Sequence, residues 1–113
     1  MKYEEAKKRL EKRFGGQVLS YTRHRKNVMT RKALAFMMRE MKLMKWKDIT
    51  KAMQLPHHSG LVNNNRHFKR ELKYDFDSRN NIILTATDML EKDIISDQEF
   101  KRVKSAVLKL RDQ

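Results

Sequence analysis

Glycine and proline occupy only four positions of this chain, Gly15, Gly16, Pro56 and Gly60. A backbone so rarely interrupted, whose apolar residues recur every three or four positions and never sustain strand-like alternation, is constrained to helices. The fold class expected is all-α. The same scarcity removes whole classes of function, because neither G-x-x-x-x-G-K-[ST] nor G-x-G-x-x-G can be assembled from three glycines in these places. At 113 residues the chain suits one compact domain with a small appendage.

Periodicity divides the chain into six segments. A first helix over 3–14 is stopped by Gly15 and Gly16, which suit a left-handed C-terminal cap. Thr30 reads as the N-cap of a second helix over 31–42, with Leu34, Met37 and Met41 along one stripe. A short third helix over 46–53 carries Trp46, Ile49 and Met53, and after Pro56 a fourth over 57–74 carries Leu61, Phe68 and Leu72. Asp75, Asp77, Ser78, Asn80 and Asn81 read as a turn-prone break. Two more helices, over 82–92 and 97–111, complete the chain, the last with Ser96 as its N-cap. The eight methionines read as core filler.

Charge divides the chain differently. Residues 1–75 hold 20 Lys and Arg against 7 Asp and Glu, while residues 76–113 hold 7 of each, so the net +13 belongs wholly to the first part. A basic module of about four helices over 1–75 and a neutral two-helix appendage over 76–113 are therefore expected. Such an excess points to a polyanionic partner, nucleic acid before an acidic membrane surface. The longest unbroken apolar run, residues 33–38, is far too short to span a bilayer, and no signal-like stretch opens the chain. With no cysteine there is no thiolate chemistry, and a cytoplasmic, nucleoid-associated protein is expected.

Only Gln54, Leu55 and Pro56 separate the third helix from the fourth, which is helix-turn-helix spacing. In that arrangement the first residues of the second helix reach base edges in the major groove, so His57, His58, Ser59 and Asn63 are candidate readers. Imidazole, hydroxyl and amide groups both donate and accept there, and Gly60 permits close approach. Asn64, Asn65, Arg66 and Lys69 are expected on the exposed side near phosphates, with Lys51 on the preceding helix.

These residues resemble the C-terminal duplex-DNA-binding domain of the bacterial replication initiator DnaA, in the TrpR-like helix-turn-helix group. The match runs without a gap over 18–68 and is carried by Leu19-Ser20, Arg23, Arg25, Arg31, Arg39-Glu40, Asp48-Ile49, Ala52 and His58-Ser59 followed by Leu61 and Val62. The resemblance implies that Arg31 opens the second helix and enters a minor groove, whose narrow A·T-rich form attracts guanidinium. It implies that Arg23, Arg25 and Lys26 form a basic loop on the backbone, and that Trp46 and Lys47 begin the short helix beside phosphates. Gln54-Leu55-Pro56 stands where the family has Gly-Gly-Arg, His57 replaces an aspartate and Gly60 a threonine, so the initiator's own site is not the expected target. The appendage, with Leu90, Asp93, Ile95, Ser96, Glu99 and Phe100, resembles a short SHOCT-like oligomerisation hairpin whose glycine is replaced around Asp93. A homo-oligomer held by 76–113 is one expectation, and simple packing on the bundle the other.

The four histidines lack zinc-site spacing and no strained nucleophile turn appears, so neither an enzyme nor a bound cofactor or small-molecule substrate is expected. An RNA-binding module would call for an aromatic stacking platform, whereas the aromatics fall mostly on buried stripes. The function expected is a duplex-DNA-binding regulator or origin factor, of the kind carried by phages and mobile elements. A sequence-tolerant coating or architectural protein is the alternative within DNA binding.

Overall fold

The computed structural model describes residues 2–19 and 24–111. These form six helices and no strand: α1 Lys2–Phe14, α2 Arg25–Glu40, α3 Trp46–Ala52, α4 His58–Tyr74, α5 Phe76–Glu91 and α6 Asp97–Arg111. The all-helical expectation holds.

The bundle is built around α2. All six residues over 33–38, the longest apolar run, are buried, so this stretch is covered on every side. α1 packs between α2 and α5, α4 packs against α2 and α6, and α3 rests on α4 and α2. Phe36 of α2 meets Phe68 of α4 edge to face, ring centroids 5.8 Å apart. Ile82, Ala86 and Met89 of α5 and Val103 and Val107 of α6 belong to the same core as Leu10, Leu34 and Phe68. The division by charge is therefore not a division of the core.

Several boundaries differ from the sequence expectation. α2 begins at Arg25, capped by His24, whose ring Nδ1 accepts from the Lys26 amide at 3.3 Å. Thr30 lies buried inside that helix, and its hydroxyl donates to the Lys26 carbonyl at 2.6 Å. A threonine satisfied this way needs no cap position. The stretch over 75–81 is likewise no loop. Asp75 alone joins α4 to α5, and its carboxylate accepts from the Ser78 amide at 3.1 Å and hydroxyl at 2.8 Å, so the polar residues make a cap and the first turns of α5, with Ser78 buried and Asp77 and Asn80 exposed.

The tail is capped as expected. The Ser96 hydroxyl accepts from the Glu99 amide at 3.1 Å while the Ser96 amide donates to the Glu99 carboxylate at 2.8 Å, a reciprocal box that closes the start of α6. Lys2 reaches the same carboxylate at 2.8 Å, and Arg9 pairs with Asp88, so α1 ties both tail helices to the bundle. Burial acts to raise the Glu99 carboxyl, but the Lys2 hydrogen bond, the Ser96 amide and the Lys2 charge outweigh it and hold the group below its usual range. Asp88 is also held low, chiefly by the Arg9 hydrogen bond.

Three helices end alike. Lys42, Gln54 and Asp93 each take φ of +58° and send their amides back to Arg39, Lys51 and Leu90, while Leu43, Leu55 and Ile94 bond to Met38, Thr50 and Met89. These are Schellman closures with an apolar residue after the turn and no glycine in the left-handed place. Asp93 thus takes the conformation that glycine favours in the hairpin pattern. Gly16 meets a different demand: a Cβ there would lie 2.2 Å from the Lys26 carbonyl oxygen, so the link after α1 presses directly on the backbone of α2.

Candidate nucleic-acid interface

The short α3 and the longer α4 are joined by the bend over 53–57. Ile49, Met53, Leu61 and Phe68 anchor the unit in the core, which fixes the outward direction of the intervening residues. His57, His58, Ser59, Gly60, Asn63 and Asn64 are all exposed. A Cβ built at Gly60 meets nothing within 4 Å, so that position is open on the free protein. Asn65 departs from expectation: it is 8% exposed and its Oδ1 is buried without a hydrogen-bond partner. Its spacing of four from Leu61 and three from Phe68 puts it on the buried stripe rather than the outer face.

The start of α4 is chemically unfinished. His57 is extended and makes no side-chain cap, and the first turn contains no acid. Lys45, at the start of α3, makes no side-chain cap either. The first amides of α4 therefore lack a side-chain acceptor at their cap, in a field that favours an anion.

Exposed cations lie on both helices of the unit. Ion pairs among the described residues engage Lys2, Lys8, Arg9, Lys32, Lys69 and Lys92. Lys45, Lys47, Lys51 and Arg66 belong to none of them and are exposed. Trp46, Arg66 and Lys69 line one depression between α2, α3 and α4 together with Arg39, Glu40 and Val62. Trp46 is half-buried and the Arg39 guanidinium lies 5.0 Å above its ring, which holds that cation at the rim. Lys69 is shared with Glu40 at 3.3 Å. Arg39 is the contributor that spacing alone does not place, because its position depends on how the end of α2 meets α3.

The other expected contacts are elsewhere. Arg25 and Lys26 are exposed on the first turn of α2 rather than in a loop, and Arg23 lies outside the described residues, as does Ser20. Arg31 does not open α2; it sits in the second turn, half-buried and already engaged by neighbouring protein groups. The expectation that aromatics are mostly buried fails at one corner: Tyr74 is 82% and Phe76 67% exposed, with Lys73 and Arg79 over their rings. Among the described residues no three His, Asp or Glu side chains form a metal-holding group, and no helix is long and apolar enough to cross a membrane.

Comparison with protein-family models, curated proteins and solved structures finds no match for this chain.

Proposed function

We propose that this protein binds duplex DNA as a helix-turn-helix module. The first turn of α4 enters the major groove, where His57, His58, Ser59 and Asn63 meet base edges, and Lys45, Lys47, Lys51 and Arg66 hold the flanking phosphates. The observation that carries this reading is a contrast within the α3–α4 unit: exposed hydrogen-bonding side chains at an uncapped helix start, with exposed cations on both helices outside the ion pairs of the described residues. Arg25 and Lys26 are assigned to backbone contacts further along the same duplex. The role of Arg31 implied by the DnaA-like pattern needs its present engagement to be exchanged for DNA.

Within that class, we assign the protein to sequence-selective regulators or origin factors rather than to coating proteins, because the readers on α4 are polar groups of mixed donor and acceptor character. Selection from a random duplex pool, followed by binding isotherms on the selected and on scrambled sequences, tests this. A regulator discriminates by about 10³ or more. Equal affinity for all duplexes would instead identify a sequence-tolerant protein, and absence of duplex binding would end the proposal.

A further inference from the structure

The neutral tail is a cancellation of two unlike halves. Residues 76–99 hold two Lys and Arg against six Asp and Glu, whereas residues 100–113 hold five against one. Two of these six acids serve the fold: Asp88 pairs with Arg9 and Lys92, Glu99 with Lys2, and Glu99 also closes the cap of α6. The basic half faces elsewhere. Val103 and Val107 bury one side of α6, and the side bearing Lys101, Arg102 and Lys109 opens onto a groove of about 490 Å³ shared with Lys42 and Lys69.

That groove has one carboxylate in its lining, Glu40, already paired with Lys69. Glu40 and Lys69 also line the depression beside Trp46 and Arg66, so the two surfaces are continuous. Arg102 fixes the geometry by donating to the Met41 carbonyl at 3.4 Å, which ties α6 to the end of α2. Lys42, Lys101 and Lys109 are exposed and belong to no ion pair among the described residues.

We propose that this groove is a second phosphate-binding surface that takes the sugar-phosphate backbone of the duplex held by α4, making α6 part of the DNA interface. The proposal rests on the helix-turn-helix reading above. Lys101 and Lys109 are eight residues apart, about 12 Å along a helix. One DNA strand presents three or four phosphates over about that axial distance. A duplex backbone is favoured over an anionic membrane because the cations line a concave groove that shares Glu40 and Lys69 with the depression beside Trp46 and Arg66 of the α3–α4 unit, rather than a flat face.

The test uses the full chain and its K101Q/K109Q variant. Both side chains are exposed, and an unchanged melting temperature verifies the fold. On a selected duplex, the variant is expected to bind about 10-fold or more weakly near 0.15 M salt and to lower the slope of log affinity against log salt by about 1 to 2 units. Base preference should be unchanged. Replacing the flanking phosphates with neutral methylphosphonates should weaken the wild type and erase its advantage over the variant. Wild-type binding with an unchanged slope in the variant would overturn the proposal while leaving the helix-turn-helix reading intact. Loss of binding to phosphatidylserine vesicles, but not to DNA, would assign the groove to a membrane and equally overturn it. If the wild type binds no duplex at all, the underlying reading fails and this inference fails with it.

Discussion

The tail helices and the α3–α4 unit treat their polar groups in opposite ways. α5 and α6 satisfy their own first turns, through Asp75 with Ser78 and through Ser96 with Glu99, and Asp88 and Glu99 close onto α1. α3 and α4 begin without side-chain caps, and the cations beside them face solvent. Both regions share one core, so the difference does not separate a folded part from a loose one. It separates helix starts closed by the fold from helix starts left open to a partner. Net charge alone could not distinguish the two, because ion pairing and capping decide which charges remain.

The largest expected effect tests the shared core. Met89→Ala empties a fully buried site on α5 and should cost about 2–5 kcal/mol. The loss should appear as one cooperative transition by circular dichroism and by Trp46 fluorescence. Two separate transitions would show that the tail folds independently of the rest.

Next come the caps, where the two regions should respond with opposite sign. Ser96→Ala should destabilise by about 1 kcal/mol, whereas His57→Asn, which supplies the missing cap of α4, should stabilise by about 0.5–1 kcal/mol. Chemical denaturation measures both. If His57→Asn also left DNA affinity untouched, the open start of α4 would have no binding role.

Acid provides a third contrast. Glu99 and Asp88 are held below the usual carboxylate range, so each contributes stability that is fully present above its unfolded value of about 4 and is lost as pH falls through the lowered folded value. Melting temperature should therefore be steady near neutrality and fall below about pH 4. E99Q should flatten part of that fall.

The smallest stability effect concerns Gly60. Since nothing lies within 4 Å of an added Cβ, Gly60→Ala should stabilise α4 by up to about 1 kcal/mol while weakening duplex binding. Gly16→Ala meets the Lys26 backbone and should do the reverse, reducing stability. A gain in both stability and affinity at Gly60 would mean that DNA does not approach there.

Much of this organisation is legible from spacing. Trp46, Ile49 and Met53, then Leu61, Phe68 and Leu72, locate the α3–turn–α4 unit because each set occupies one helical stripe. The start of α2 is not legible, since a threonine that caps a helix and one that bonds back to a carbonyl look identical in sequence, and Thr30 does the second. Helix ends at Lys42, Gln54 and Asp93 are concealed because the left-handed residue is not glycine. The polar run after Tyr74 looks like a loop until the Asp75–Ser78 cap is seen. At the interface, the exposed residues of α4 follow from the stripe that anchors them. The groove of Lys42, Lys101 and Lys109 does not, because it exists only where the end of α2, α4 and α6 converge.

Everything proposed for α3 and α4 depends on their uncommitted cations holding DNA phosphates. Salt dependence of binding tests this most directly, by fluorescence anisotropy on a selected duplex, for the wild type and a K47Q/K51Q variant of equal melting temperature. A steep linear fall of log affinity with log salt is expected, with a slope shallower in the variant by about 0.9 for each phosphate it no longer neutralises. Affinity that ignores salt, or a slope that is the same in both proteins, would mean that these lysines do not hold the DNA backbone.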